Sequence, residues 1–126
     1  MKKDPVFKEL DLNDGTLVSL SAKNETLSIN IELWNSKPVI ITFYNVLRFA
    51  FNSPDFLSEL NIISPLSEFM NEALSHRYAQ IPTEPNTNFP KNHPYHQYQL
   101  LDINRNSVLE IIAETATYKE VSAFIE

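Results

Sequence analysis

The 126-residue chain contains no cysteine, which removes a disulfide framework, thiolate metal sites and a cysteine nucleophile together. Glycine is almost as scarce: Gly15 stands alone, whereas loops that cradle phosphate need several, so the nucleotide-binding classes are set aside. Long apolar runs are missing as well, none approaching the ~18 residues of a membrane span. MKKDPVF meets Asp4 and Pro5 where a signal peptide would turn apolar. No G-x-S-x-G, HExxH or EF-hand pattern occurs. The expectation is a cytoplasmic, unprocessed protein that is not an enzyme, holds no metal or cofactor and does not enter a membrane.

Positive charge is in deficit too. Ten Lys and Arg face sixteen Asp and Glu, for a formal charge of −6 and a pI of about 5.0. Such a field repels phosphate backbones and anionic lipid and attracts a basic partner, so direct nucleic-acid binding is disfavoured. The length suits one domain, 1–126, around one core.

What the chain has is strand. In TLSINIELW, residues 26–34, Leu27, Ile29, Ile31 and Leu33 alternate with Ser28, Asn30 and Glu32, the period of a half-buried antiparallel strand. Asn35, Ser36 and Lys37 supply a turn, and Pro38 opens VIITFYNVLRFAF, so a hairpin is expected. Val39, Ile41, Phe43, Leu47, Phe49 and Phe51 share one face of that second strand. Ile40 and Val46 on the other face imply a strand covered on both sides or bent midway. VFKEL (6–10) and TLVSLSA (16–22) read as weaker strands joined through Asn13-Asp14-Gly15.

Ser53-Pro54 and Ser64-Pro65 each offer an N-cap followed by proline. The first leads into PDFLSEL, read as a turn or two of helix. The second opens a main helix, 65–79, with Leu66, Phe69, Met70, Ala73 and Leu74 on one stripe. Residues 81–94 hold four of the eight prolines and no periodicity, so they read as a long loop. YHQYQLLDIN (95–104), SVLEIIAE (107–114) and TYKEVSAFI (117–125) follow as a three-strand meander. The expected fold is α+β, mainly β: an antiparallel sheet or β-sandwich of about seven strands with the 65–79 helix packed on it.

Two of the three histidines, His93 and His96, flank Pro94 at the end of the loop. Imidazole binds metals and titrates near neutrality. In extended chain, however, a three-residue offset sends two side chains to opposite faces, and a metal site needs further ligands that the spacing does not supply. Structural or solvent-facing histidines are therefore the favoured reading, and a small enzyme or ligand-binding domain using the 81–96 loop with His93 and His96 is the alternative. Glu72 and His76 share a helix face, which predicts an ion pair. Glu68 and Glu72 at the same spacing make either a solvated face or an acidic landing site. Trp34 falls on the polar side of its strand's alternation, placing it either as an exposed anchor or as a cap on the hairpin end.

The layout NETLSINIELWNSKPVIITFYNVLRFAF, then a capped helix, then HPYHQYQLLDINRNSVLEIIAE, resembles the small bacterial immunity proteins that accompany contact-dependent growth-inhibition toxins. The resemblance spans most of residues 16–126 as a pattern of elements and carries no diagnostic residue. It implies a stoichiometric inhibitor that binds a cognate toxin domain and covers its active site. An acidic surface suits a basic nuclease as that toxin, since complementary charge speeds encounter. The candidate contacts are Asp55, Glu59, Glu68 and Glu72 around the helix and Tyr95, His96 and Tyr98 at the loop's exit. Glu110 and Glu114 stand in reserve.

Overall fold

The alternation in residues 26–34 folds as a hairpin arm, with Leu27, Ile29 and Ile31 fully buried opposite Phe43, Ile41 and Val39 of the next strand. The structure is a computed structural model and describes residues 2–52, 56–64, 67–78 and 93–122. In chain order the elements are β1 Lys2–Pro5, β2 Thr16–Lys23, β3 Thr26–Glu32, β4 Pro38–Tyr44, β5 Arg48–Phe51, β6 Leu57–Ser64, α1 Glu68–Arg77, β7 His96–Asp102, β8 Ser107–Ala113 and β9 Thr115–Glu120.

The strands form two antiparallel sheets, one ordered β1-β6-β7-β8-β5 and the other β2-β3-β4-β9. Their inner faces meet in one core: Leu27, Ile29, Ile31, Val39, Ile41 and Phe43 from the four-stranded sheet, and Leu57, Leu60, Tyr98, Leu100, Leu109 and Ile111 from the five-stranded one. Tyr98 stands edge-on to Phe43, with ring centroids 5.2 Å apart. The helix covers the outer face of the five-stranded sheet, where Met70, Ala73 and Leu74 pack with Tyr95 and Ile112. Adjacent Ile111 and Ile112 thus face different layers, which is why SVLEIIAE is apolar without alternating. The architecture is α+β and mainly β, as expected, with nine strands among the described residues. No described helix is long and apolar enough to cross a membrane.

Five local expectations are corrected. VFKEL is not a strand: Phe7 takes a left-handed conformation (φ 57°) and its carbonyl accepts from Leu10 N–H at 2.8 Å, closing a turn, while β1 lies just upstream. The apolar run 39–51 is not one continuous strand; of the two readings offered the bend midway holds, at Asn45 (φ 55°), and it goes further than expected, since β4 and β5 belong to different sheets, with Val46 packed in the main core and Leu47 against the helix cluster. PDFLSEL is no helical turn in its described part, because Leu57 begins β6, between β1 and β7. A bulge at Leu57/Glu59 spaces the inward residues Leu57 and Leu60 by three and disguises the period of two. The helix starts a turn later than Ser64 implied, with Ser67 Oγ accepting from Met70 N–H at 3.1 Å. The meander stops after two strands, since β9 leaves β8 at Glu114 to pair with β4. Residues 81–92 of the expected loop lie outside the described residues.

Gly15 is explained by space rather than by conformation. A Cβ there would lie 2.9 Å from the Leu12 carbonyl oxygen and 3.4 Å from that of Glu32. The tight fit lets Gly15 accept from Leu57 N–H at 2.8 Å, and Leu57 accept from Asp14 N–H at 2.9 Å. The start of β2 is stitched to the start of β6, one sheet to the other.

Candidate protein interface

The structure divides the sequence-predicted contacts. Glu68 and Glu72 are exposed on α1, but Glu72 does not pair with His76 one turn on. Arg48 at the head of β5 lies over the Phe69 ring, 4.3 Å from its centroid, and donates to Glu72 at 3.0 Å. Glu72 is therefore neutralised, and the Glu68–Glu72 face holds one uncommitted carboxylate instead of two. Glu110 accepts from Gln97 and Ser107 on the outer face of the five-stranded sheet, and Glu114 accepts from Asn45. Both reserve carboxylates serve the fold. Asp55 lies outside the described residues.

The aromatic candidates are corrected more sharply. Tyr98 is 4 % exposed, in the core against Phe43, because position 98 shares the inward face of β7 with Leu100. Tyr95 is buried beneath α1, edge-on to Tyr78 and stacked on His93. Of the three only His96 faces solvent.

The two histidines do not lie on opposite faces. Residues 93–95 precede the strand, so the strand rule does not apply to them, and both histidines border a groove of about 320 Å³ with Ile62, Ile63, Met70 and Gln97. His93 Nδ1 accepts from Tyr95 N–H at 3.2 Å. Burial, then the neighbouring His96, hold the His93 pKa below its ordinary value, favouring the neutral ring. Among the described residues no group of three or more metal-ligating side chains gathers, here or elsewhere.

A different surface stands out at the loop end of the sandwich. Trp34 in the β3–β4 turn is 63 % exposed, Phe56 before β6 is 52 % exposed, and Ile103 after β7 is 45 % exposed. Hydrogen bonds tie these loops together. Ile103 N–H donates to the Phe56 carbonyl at 2.8 Å, Leu57 N–H donates to Gly15, and Gly15 abuts the Glu32 carbonyl two residues before Trp34. Exposed carboxylates occur in or beside the same linked segments: Asp11, Asp14 and Glu32, with Glu59 lining a small cleft shared with Asp11 and Lys8. Lys8, Lys37 and Arg105 are exposed cations in or beside these segments. Exposed aromatic and aliphatic side chains with charged residues nearby in the chain are the composition that a protein-binding patch uses.

Sequence reasoning finds Trp34, because it breaks the alternation of its strand, and Glu59. It misses Phe56 and Ile103, which it assigns to regular elements that in fact stop short of them. Comparison of this chain with protein-family models, with curated proteins and with solved structures gives no match.

Proposed function

We propose that the protein acts by binding another protein, as a cytoplasmic immunity protein that captures a basic toxin domain, of the nuclease kind, and covers its active site. The observation that carries this reading is the set of backbone-linked loops that expose Trp34, Phe56 and Ile103 as well as Asp11, Asp14 and Glu32, on a domain of charge −6. Aromatic anchors supply the desolvated centre of such a contact, and the carboxylates steer a basic partner and stand in for its substrate's phosphates. The helix-face carboxylates become secondary, since Glu72 is already engaged by Arg48.

The test is co-purification with the toxin domain encoded beside this reading frame, followed by rescue of cells expressing that domain. Trp34→Ala and Phe56→Ala should each weaken capture at least about 30-fold, the scale of a loss of ~2 kcal/mol, with the fold intact by circular dichroism. Glu68→Ala should change it less than 3-fold. Capture that survives the first two substitutions and fails with the third would return the contact to the helix face.

A second reading rests on the shared groove of His93 and His96, which is sized for a small ligand. Zinc retained through dialysis, and lost in the double variant His93→Ala and His96→Ala, would favour it over the protein-binding reading.

A further inference from the structure

Among the described residues four strand edges bound the two sheets, and three are protected. β1 carries Lys3 and Pro5; β2 carries Lys23 and a bulge between Leu17 and Ser19; β9 presents Thr115, Thr117, Lys119 and Glu120. Charges, proline and bulges are the usual devices against edge-to-edge pairing. β5, with the sequence Arg48-Phe49-Ala50-Phe51, has none of them within its length beyond an arginine already held by Glu72. All four residues are exposed, and among the described residues no strand pairs with β5 on the side away from β8.

The register says which groups are open. Arg48 pairs with Ile112 and Ala50 with Glu110, and Asn52 N–H donates to the Val108 carbonyl at 2.8 Å, continuing the same ladder. In an antiparallel ladder alternate residues turn their N–H and C=O to the partner strand, so those of Phe49 and Phe51 point outward.

We propose that β5 pairs with the β5 of a second copy of this chain, antiparallel about a two-fold axis at Ala50, joining the two five-stranded sheets into one. This register sets Phe49 opposite Phe51 of the second copy and Phe51 opposite its Phe49. Each such pair exchanges two hydrogen bonds, and the edge's open donors and acceptors are all satisfied. The four phenylalanine rings, about two-fifths exposed in the single chain, line up as cross-strand pairs on the face that looks toward the core. Charge fits a second copy. Arg48 falls opposite Asn52, so no like charges meet, and the Arg48–Glu72 pair leaves the strip neutral on a chain of net charge −6. The contact is small, roughly a few hundred Å² per copy, which makes the dimer weak and concentration-dependent. The proposal does not depend on the immunity reading, since the loop end stays open in it.

Sedimentation equilibrium of the full chain from about 10 μM to about 1 mM is expected to show mass rising from 14.5 kDa toward twice that value. Phe51→Lys should hold the chain monomeric with unchanged circular dichroism, while Trp34→Ala leaves dimerisation unaltered. Because the chain has no cysteine, Ala50→Cys gives a single thiol. In the proposed register Cα50 faces its own copy at ~4.5 Å, within disulfide range. Oxidation should convert Ala50→Cys to a covalent dimer at least 10-fold faster than Ser36→Cys. A monomer throughout the concentration range, a dimer that survives Phe51→Lys, or equal cross-linking of the two thiols would each overturn the proposal.

Discussion

Glu9 and Tyr118 sit 109 positions apart and share a hydrogen bond of 2.7 Å, with the phenol donating to the carboxylate. Tyr118 also stands edge-on to Phe7, at 4.8 Å between ring centroids, so one β9 side chain fastens the N-terminal turn in two ways. The bond favours ionised Glu9 and neutral Tyr118: it lowers the first pKa and raises the second. Tyr118→Phe should keep the ring contact and release the carboxylate, so the Glu9 pKa measured by NMR rises toward its ordinary value; an unmoved titration would refute the pairing. Gly15 makes a different demand. Gly15→Ala places a methyl 2.9 Å from a backbone oxygen, so a stability loss of about 1–3 kcal/mol is expected in urea denaturation. Asn61 is 1 % exposed, and neither its amide nitrogen nor its oxygen finds a partner among the described residues; the structure gives no physical reason for it.

At the scale of elements, the helix is short enough that tertiary contact must hold it. Ten residues are marginal for a helix alone in water, and α1 rests on Met70, Ala73 and fully buried Leu74. Leu74→Ala should cost about 2–5 kcal/mol, and hydrogen exchange should show α1 amides losing more protection than β3, which packs in the other cluster. Elements are legible in the sequence where one period runs unbroken. The β3–β4 hairpin is the clear case, since Leu27, Ile29 and Ile31 never lose phase. β6 is hidden because its bulge shifts the phase after Leu57, and in β4–β5 Ile40 and Val46 hint at a bend while leaving its position and the change of sheet at Asn45 unmarked. For the candidate interface, Trp34 announces itself by breaking an alternation. Phe56 and Ile103 carry no signal, because their exposure depends on where β6 begins and β7 ends. Tyr98 is the opposite case, a residue expected at the surface although its spacing from Leu100 already gives its inward face.

For the whole molecule, the perturbed groups bound stability on both sides of neutrality. His93 has a depressed folded pKa, so its contribution is present above the unfolded value near 6.5 and is lost as pH falls through the folded value; Glu9 repeats this further into acid, below about 4.3. Tyr98, raised by burial, and Tyr118, raised by Glu9, contribute below about pH 10 and lose that contribution as pH rises through their folded values. Melting temperature should therefore be flat from about pH 7 to 9.5 and decline outside that range. His93→Gln should delay the acid decline, and identical acid limbs in the variant and the parent would exclude His93 as its cause.

Two of the three places where the chain changes sheet among the described residues are one place. Asn45 bends β4 into β5, Glu114 bends β8 into β9, and the two are joined by the Asn45 amide on the Glu114 carboxylate and by Glu114 N–H to the Tyr44 carbonyl at 3.1 Å. Sliding one layer over the other would have to shear both corners at once. The seam behaves as a rivet: one pair of neighbouring corners, Asn45 and Glu114, pins both crossings between the layers.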